Sequence, residues 1–217
     1  MRFRRVLSAV LIALAPVAAH AQFYGYPSFQ IPRTTPREYN FAIANAGDAG
    51  TSLLFQWREA YSPTTHLQFD AGLADPNRPG DDARFIIGGG MGHQLHTATS
   101  DLPLDLLVSA GAGGSFGGGV SYLRVPVGLS VGRRFPFDVP VAVTPYAHPR
   151  LTLDHCSACG AGGRSDTKLG VDADLGVDVE LTTSLALRGS LLLSGSDFFG
   201  RGDGFGVSLV WTPATLK

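Results

Sequence analysis

From Glu38 onward, apolar and polar residues alternate with a period of two. The clearest run is Lys168 to Leu181. Leu169, Val171, Ala173, Leu175, Val177, Val179 and Leu181 fall on one side of an extended chain, and Gly170, Asp172, Asp174, Gly176, Asp178 and Glu180 on the other. A helix of 3.6 residues per turn would mix these sets, whereas a pleated strand separates them. Phe205, Val207, Leu209 and Trp211 alternate in the same way with Gly204, Gly206 and Ser208. So do Leu123, Val125, Val127, Leu129 and Val131 with Tyr122, Arg124, Gly128 and Ser130. Counting such segments predicts about ten strands, with eight as the alternative, starting near Tyr39, Thr51, Thr65, Ala83, Leu104, Val120, Val141, Lys168, Ser184 and Gly204. The fold class is therefore all-β, an up-and-down antiparallel barrel.

The connections are expected to alternate in length. Asp75 to Asp82, Gly113 to Gly119, Cys156 to Ser165 and Gly195 to Asp203 read as long or glycine-rich loops. Tyr61 to Thr64, Phe135 to Val139 and Thr182–Thr183 read as tight turns, with Thr97 to Pro103 intermediate. Long loops on one rim and short turns on the other are the habit of membrane barrels. Ahead of the strands, residues 22–37 hold Pro27, Pro32 and Pro36 among Phe23, Tyr24 and Tyr26. Proline removes a ladder donor, so this stretch reads as an extended tail. Residues 38–212 form the barrel, and residues 213–217 a short C-terminal tail.

The first residues change the compartment. Arg2, Arg4 and Arg5 precede an apolar run from Val6 to Ala19, and Ala19-His20-Ala21 fits a small-x-small cleavage pattern. Residues 1–21 thus read as a signal peptide, with Gln22 as the mature N-terminus. Losing three Arg and no acid takes the formal net charge from −1 to −4. That balance argues against a nucleic-acid partner, which favours a basic patch. No later stretch reaches the length of an apolar spanning helix. A membrane could then be crossed only by a closed sheet, because every backbone group in lipid needs a partner.

The signal peptide, the alternating strands, the loop parity and the closing Phe-x-Val-x-Leu-x-Trp run at residues 205–211 resemble the small bacterial outer-membrane β-barrel family, the porin-like and OmpA-like transmembrane barrels. The resemblance spans residues 38–212. It implies a monomeric barrel in the outer membrane of a diderm bacterium, in contact with outer-membrane lipid and inserted by the barrel-assembly machinery. It does not imply one activity. Members commonly end on a terminal aromatic residue, whereas here Trp211 is followed by Thr212 to Lys217.

In lipid the apolar face turns outward. The lumen is then expected to hold Arg58, Asp70, Arg124, His148, Arg150, Asp172, Asp174, Asp178, Glu180 and Arg188. Opposite charges on neighbouring strands should pair, Arg150 and Arg188 with the acidic row between them. Such a lumen can be a polar path or a filled interior, and a barrel of about ten strands favours the filled or very narrow form. A water-soluble barrel would invert the faces and leave an apolar ligand cavity, as in lipocalins.

Candidate chemistry is sparse. Cys156 and Cys159 form a Cys-x-x-Cys pair without the βαβ setting of a redox motif. In an oxidising compartment a small disulfide is the expected state. Metal binding with Asp154 and His155, or free thiols, are the alternatives. Gly113-Gly114-Ser115-Phe116-Gly117 matches a nucleophile pattern but lacks the strand-to-helix elbow that exposes the serine. Arg201-Gly202-Asp203 is a short adhesion-type match with a high false-positive rate. His93, His96 and His148 share no ligand spacing. The sequence thus predicts a structural or narrow-pore membrane barrel without catalytic residues, metal or cofactor. A soluble apolar-ligand barrel and a lipid-modifying barrel enzyme are the alternatives.

Overall fold

The structure is a computed structural model, and it describes residues 26–77, 82–137, 140–160, 163–195 and 202–213. The signal-peptide reading, residues 22–25, Arg201 and residues 214–217 lie outside this set. The strands are β1 (Arg37–Ala46), β2 (Thr51–Ser62), β3 (Thr65–Asp75), β4 (Arg84–His96), β5 (Asp105–Gly117), β6 (Val120–Gly132), β7 (Phe135–Pro136), β8 (Ala142–Gly160), β9 (Arg164–Glu180), β10 (Leu185–Ser194) and β11 (Gly204–Trp211). β7 is a two-residue ribbon laid against β8, and β6 pairs directly with β8. The remaining strands run antiparallel to their sequence neighbours, and β1 pairs with β11, Tyr39 opposite Trp211 and Ile43 opposite Val207. A ten-stranded antiparallel barrel is therefore closed, with no free edge.

Alternation sets which side chains point where. Glu38, Asn40, Ala42 and Ala44 on β1 point inward, and Phe41 and Ile43 outward. The outside is apolar: Leu53 is 59% exposed and Leu169 72%, while Asp174 and Arg58 are 0% and 1% exposed. Water would penalise this distribution twice, by wetting large apolar side chains and by drying charges. Lipid removes the first penalty, and pairing inside the barrel removes much of the second. Tyr39 stacks on Trp211, with ring centroids 5.4 Å apart, and Trp57 lies outward nearby on β2. These rings form an aromatic belt at the rim where the barrel begins and ends, the depth at which tyrosine and tryptophan favour a membrane interface.

The loop parity expected from the sequence holds only in part: the connections 76–83 and 195–203 are long and 63–64 is tight, but two of the expected long loops are mostly strand. Gly113 to Gly117 belong to β5, and the turn shrinks to Gly118–Gly119, both in the left-handed region with φ +59° and +73°. The glycines are consumed by pairing: Gly88 faces Gly113 and Gly90 faces Gly111 across β4 and β5. Likewise Cys156 to Gly160 extend β8, with Cys156 paired to Asp166 on β9. β8 and β9 reach 19 and 17 residues, well beyond the roughly ten residues that a tilted strand needs to cross a bilayer. One rim therefore projects as paired strands at β5–β6 and β8–β9, beside the connections 76–83 and 195–203. We call it the far rim, and the rim with the barrel's two ends the near rim. The connections 97–104 and 133–141, which match 76–83 and 195–203 in length, lie at the near rim.

Candidate functional site: the plugged lumen

The site is the barrel interior, and its least expected occupant is the N-terminal segment. Residues 26–36 are not a free tail: they enter at the near rim and run up inside the barrel. At the entrance Pro36 O accepts from Ala60 N at 2.8 Å, and Thr34 is held by Gln94 and by Pro63 O. Arg33 pairs with Glu180. Deeper in, Ser130 Oγ donates to Gln30 O at 2.7 Å, Arg188 to Phe29 O at 2.8 Å, and Arg58 to Ser28 O at 3.2 Å. Ser28 N donates to Asp174 at 3.0 Å, and Ser28 Oγ is 2.7 Å from His148 Nδ1. Tyr26, Phe29 and Ile31 are buried, the first two in an apolar cluster with Ala42, Ala44, Leu54, Ala74 and Ile86.

Around this segment the lumen charges form two groups. In the first, Glu38 accepts from Arg58 at 2.5 Å and from Arg188 at 2.9 Å, and Arg188 also binds Asp178 at 2.8 Å. Arg58 continues through Gln68, which donates to Asp70. In the second, Arg124 bridges Asp154 at 2.7 Å and Asp172 at 2.8 Å, and Arg150 binds Asp174 at 2.9 Å. His148 stands between Ser28 and Ser109, whose Oγ is 2.8 Å from its Nε2. Buried charges demand such pairing, since an isolated one carries a desolvation penalty of several kcal/mol.

Arg58, Asp70, Arg124, His148, Arg150, Asp172, Asp174, Asp178 and Arg188 are thus all buried on the lumen side. Glu180 lies apart at the near rim, partly exposed, shared by Arg33 and Arg134. Its hydrogen bonds push Arg134, in the turn after β6, above its ordinary value. Glu38 and Asp154 are central to the two groups; Glu38 was not singled out from the sequence, and Asp154 only as a metal-ligand alternative beside His155. Both occupy inward positions of alternating strands, so the same count would have found them. The segment's insertion left one trace, apolar residues in a proline-rich stretch.

The remaining motifs stay outside this arrangement. Cys156 and Cys159 are disulfide-bonded near the far end of β8. Ser115 is buried within β5, which continues past it as a strand and forms no elbow. Asp203 accepts Ser194 N at 2.9 Å. His93 and His96 are bonded to Thr65 and to Leu102 O, away from His148. Among the described residues no cluster of His, Cys, Asp and Glu could hold a metal ion.

Among the described residues two cavities touch the segment. A cavity of about 20 Å³ lies beside Gln30, Gln68, His148 and Arg150, room for roughly one water. A second, of about 240 Å³, opens at the near rim between residues 31–36, Glu180 and Arg188.

A closed antiparallel sheet with an apolar outside and a paired, charged inside is a membrane-spanning β-barrel. The inward apolar cavity of a water-soluble barrel is not what this fold has. No family model matches the sequence, and no curated protein matches it. Among solved structures the fold is similar to LpxR from Salmonella typhimurium, with a TM-score of 0.49 and 8% identity over 81% of this chain and 100% of that one. It is also similar to the KdgM porin, at 0.42 and 5% over 82% and 99%. Neisserial surface protein A matches at 0.31 and 16% over 80% and 92%.

Proposed function

We propose that this protein is a structural barrel of the outer membrane of a diderm bacterium, closed to ions at rest and without catalytic chemistry. One observation carries the reading: residues 26–36 run through the lumen, and the cavity beside them holds about 20 Å³. A hydrated ion needs a continuous wet path, which roughly one water does not provide. On this reading the arginine–carboxylate groups fill and brace the interior. The partners are outer-membrane lipid on the apolar girdle and the barrel-assembly machinery during insertion, and the protein is a monomer exported by residues 1–21. The test is planar-bilayer recording of the refolded full-length protein, alongside cell fractionation. Silent bilayers, outer-membrane recovery and heat-modifiable migration are expected. Stable conductance steps, or recovery as a soluble periplasmic protein, would overturn it.

A further inference from the structure

We propose that the lumen is a peptide-binding site, that residues 26–36 occupy it as a tethered ligand, and that it accepts an extended, proline-containing peptide supplied in trans. The inference rests on the reading that this segment closes the barrel.

Three observations separate the segment from the barrel that holds it. First, the lumen's ion pairs are made by barrel residues with one another: Arg58 and Arg188 with Glu38, Arg188 with Asp178, Arg124 with Asp154 and Asp172, Arg150 with Asp174. Residues 26–36 carry one charge, Arg33, and its partner Glu180 also holds Arg134 at 2.7 Å. Withdrawal of the segment therefore strips no buried charge of its counter-ion. The charges of the interior are balanced with or without the segment, which is what preorganised sites have in common.

Second, the segment is gripped as a ligand rather than paired as a strand. Barrel side chains donate to its carbonyls: Arg58 to Ser28, Arg188 to Phe29, Ser130 to Gln30 and Gln94 to Pro32. The wall offers the segment's carbonyls more donors than it offers its N–H groups acceptors, Asp174 for Ser28 and Gln94 for Thr34, so it suits a chain with few N–H groups. Proline is that residue, since it keeps its carbonyl and has no donor, and Pro27, Pro32 and Pro36 punctuate the segment.

Third, the barrel wall is hollowed to receive particular side chains. A methyl group on Gly206 would come within 2.6 Å of the Phe29 ring; one on Gly132 would meet Pro145 O of the barrel at 2.4 Å and the Pro32 ring at 3.0 Å. Phe29 has φ +52°, a region that a bulky residue adopts only when its surroundings hold it there. The ligand class is thus an extended peptide with an aromatic residue three positions before a proline and few charges, Arg33 being the one in this segment.

The experiment keeps the full chain. Phe29→Ala/Ile31→Ala loosens the segment without touching the barrel. Release is read by trypsin cleavage after Arg33, and barrel integrity by heat-modifiable migration. A fluorescent synthetic peptide of residues 26–36 is then added, and anisotropy and conductance are followed. A tethered segment competes at millimolar effective concentration, so the loosened variant should bind the peptide about a hundredfold more tightly than wild type. A scrambled peptide should not bind. Adding Gly206→Leu, which fills the Phe29 hollow from the barrel side, should abolish the gain. Release of the segment without peptide binding would overturn the proposal. So would a segment that neither Phe29→Ala/Ile31→Ala nor Gly206→Leu releases, because it would then be part of the fold. If the wild-type barrel conducts, the closed-barrel reading fails by itself, and the binding measurement still decides the site.

Discussion

Glu38→Gln should be among the most damaging conservative substitutions in this protein. Glu38 sits on β1, 1% exposed, and accepts from Arg58 at 2.5 Å and from Arg188 at 2.9 and 3.1 Å. The glutamine keeps an acceptor oxygen but removes the charge. Arg188 retains Asp178 at 2.8 Å. Arg58 is left with neutral acceptors, Gln68, Gln56 and Ser28 O. Removing one member of a buried pair costs about 3–5 kcal/mol, mainly because the other charge stays buried without a counter-charge. Asp178→Asn is the control: it also deletes a carboxylate from Arg188 but leaves Glu38 in place. Its expected cost is about 1.5–3 kcal/mol, that of a hydrogen bond to a charged group. The double variant Glu38→Gln/Arg58→Gln should recover part of the loss, with a coupling energy of roughly 0.5–3 kcal/mol. Urea unfolding of protein refolded into lipid vesicles measures all three. The two tryptophans, Trp57 and Trp211, face outward at the near rim, so their fluorescence reports departure from the bilayer. A Glu38→Gln variant within about 1 kcal/mol of wild type would show that the lumen hydrates Arg58, and the account of a dry, paired interior would fail.

Two further predictions concern the wall and its far rim. Leu53→Arg places a charge outward on β2, level with Ile43 and two inward–outward alternations from Trp57. It should cost about 2–4 kcal/mol near the bilayer centre, read as a lower refolding yield on heat-modifiability gels, and unchanged insertion would contradict a lipid-facing β2. Cys156→Ser/Cys159→Ser opens a link between residues only three apart. Chain entropy limits its stabilisation to about 2 kcal/mol, so urea midpoints should shift little, and loss of the barrel on reduction would contradict a merely local staple.

Strand order and side-chain direction were legible because both follow from a period of two. Most expected strand starts fall within two residues of the observed ones, but β9 begins at Arg164, four residues before Lys168. That difference and the loops have one cause: glycine and small polar residues were read as turn-formers. Their real role is to pair, as Gly88 does with Gly113, and no local property separates a glycine in a loop from one in a glycine-lined strand. The inward charges Arg150 and Asp174 were legible for the same reason that Leu169 and Val171 were. The path of residues 26–36 was not. Its contacts are long-range, Ser28 meeting Asp174 across 146 positions, and prolines announce only that a segment will not join a ladder. Tyr26, Phe29 and Ile31 were the usable hint, since an exported tail with no hidden surface to meet has little reason to carry them.

The β1–β11 seam has a consequence for the order of events during assembly. Glu38 stands on the first strand, and its partner Arg188 on the tenth-numbered strand lies 150 positions later. Arg58, beside Glu38 from the first hairpin onward, must wait with it. Until β10 and β11 arrive, the entrance to the lumen carries an incomplete charge set and an open flank through which residues 26–36 can still slide. Closing so long a loop costs chain entropy that no earlier contact offsets. Arrival of Arg188 then does two things in one step: it completes the Glu38 pairing and captures the Phe29 carbonyl. Sealing the cylinder and locking its contents are the same event, so a folding intermediate with a closed wall and an empty bore should not accumulate.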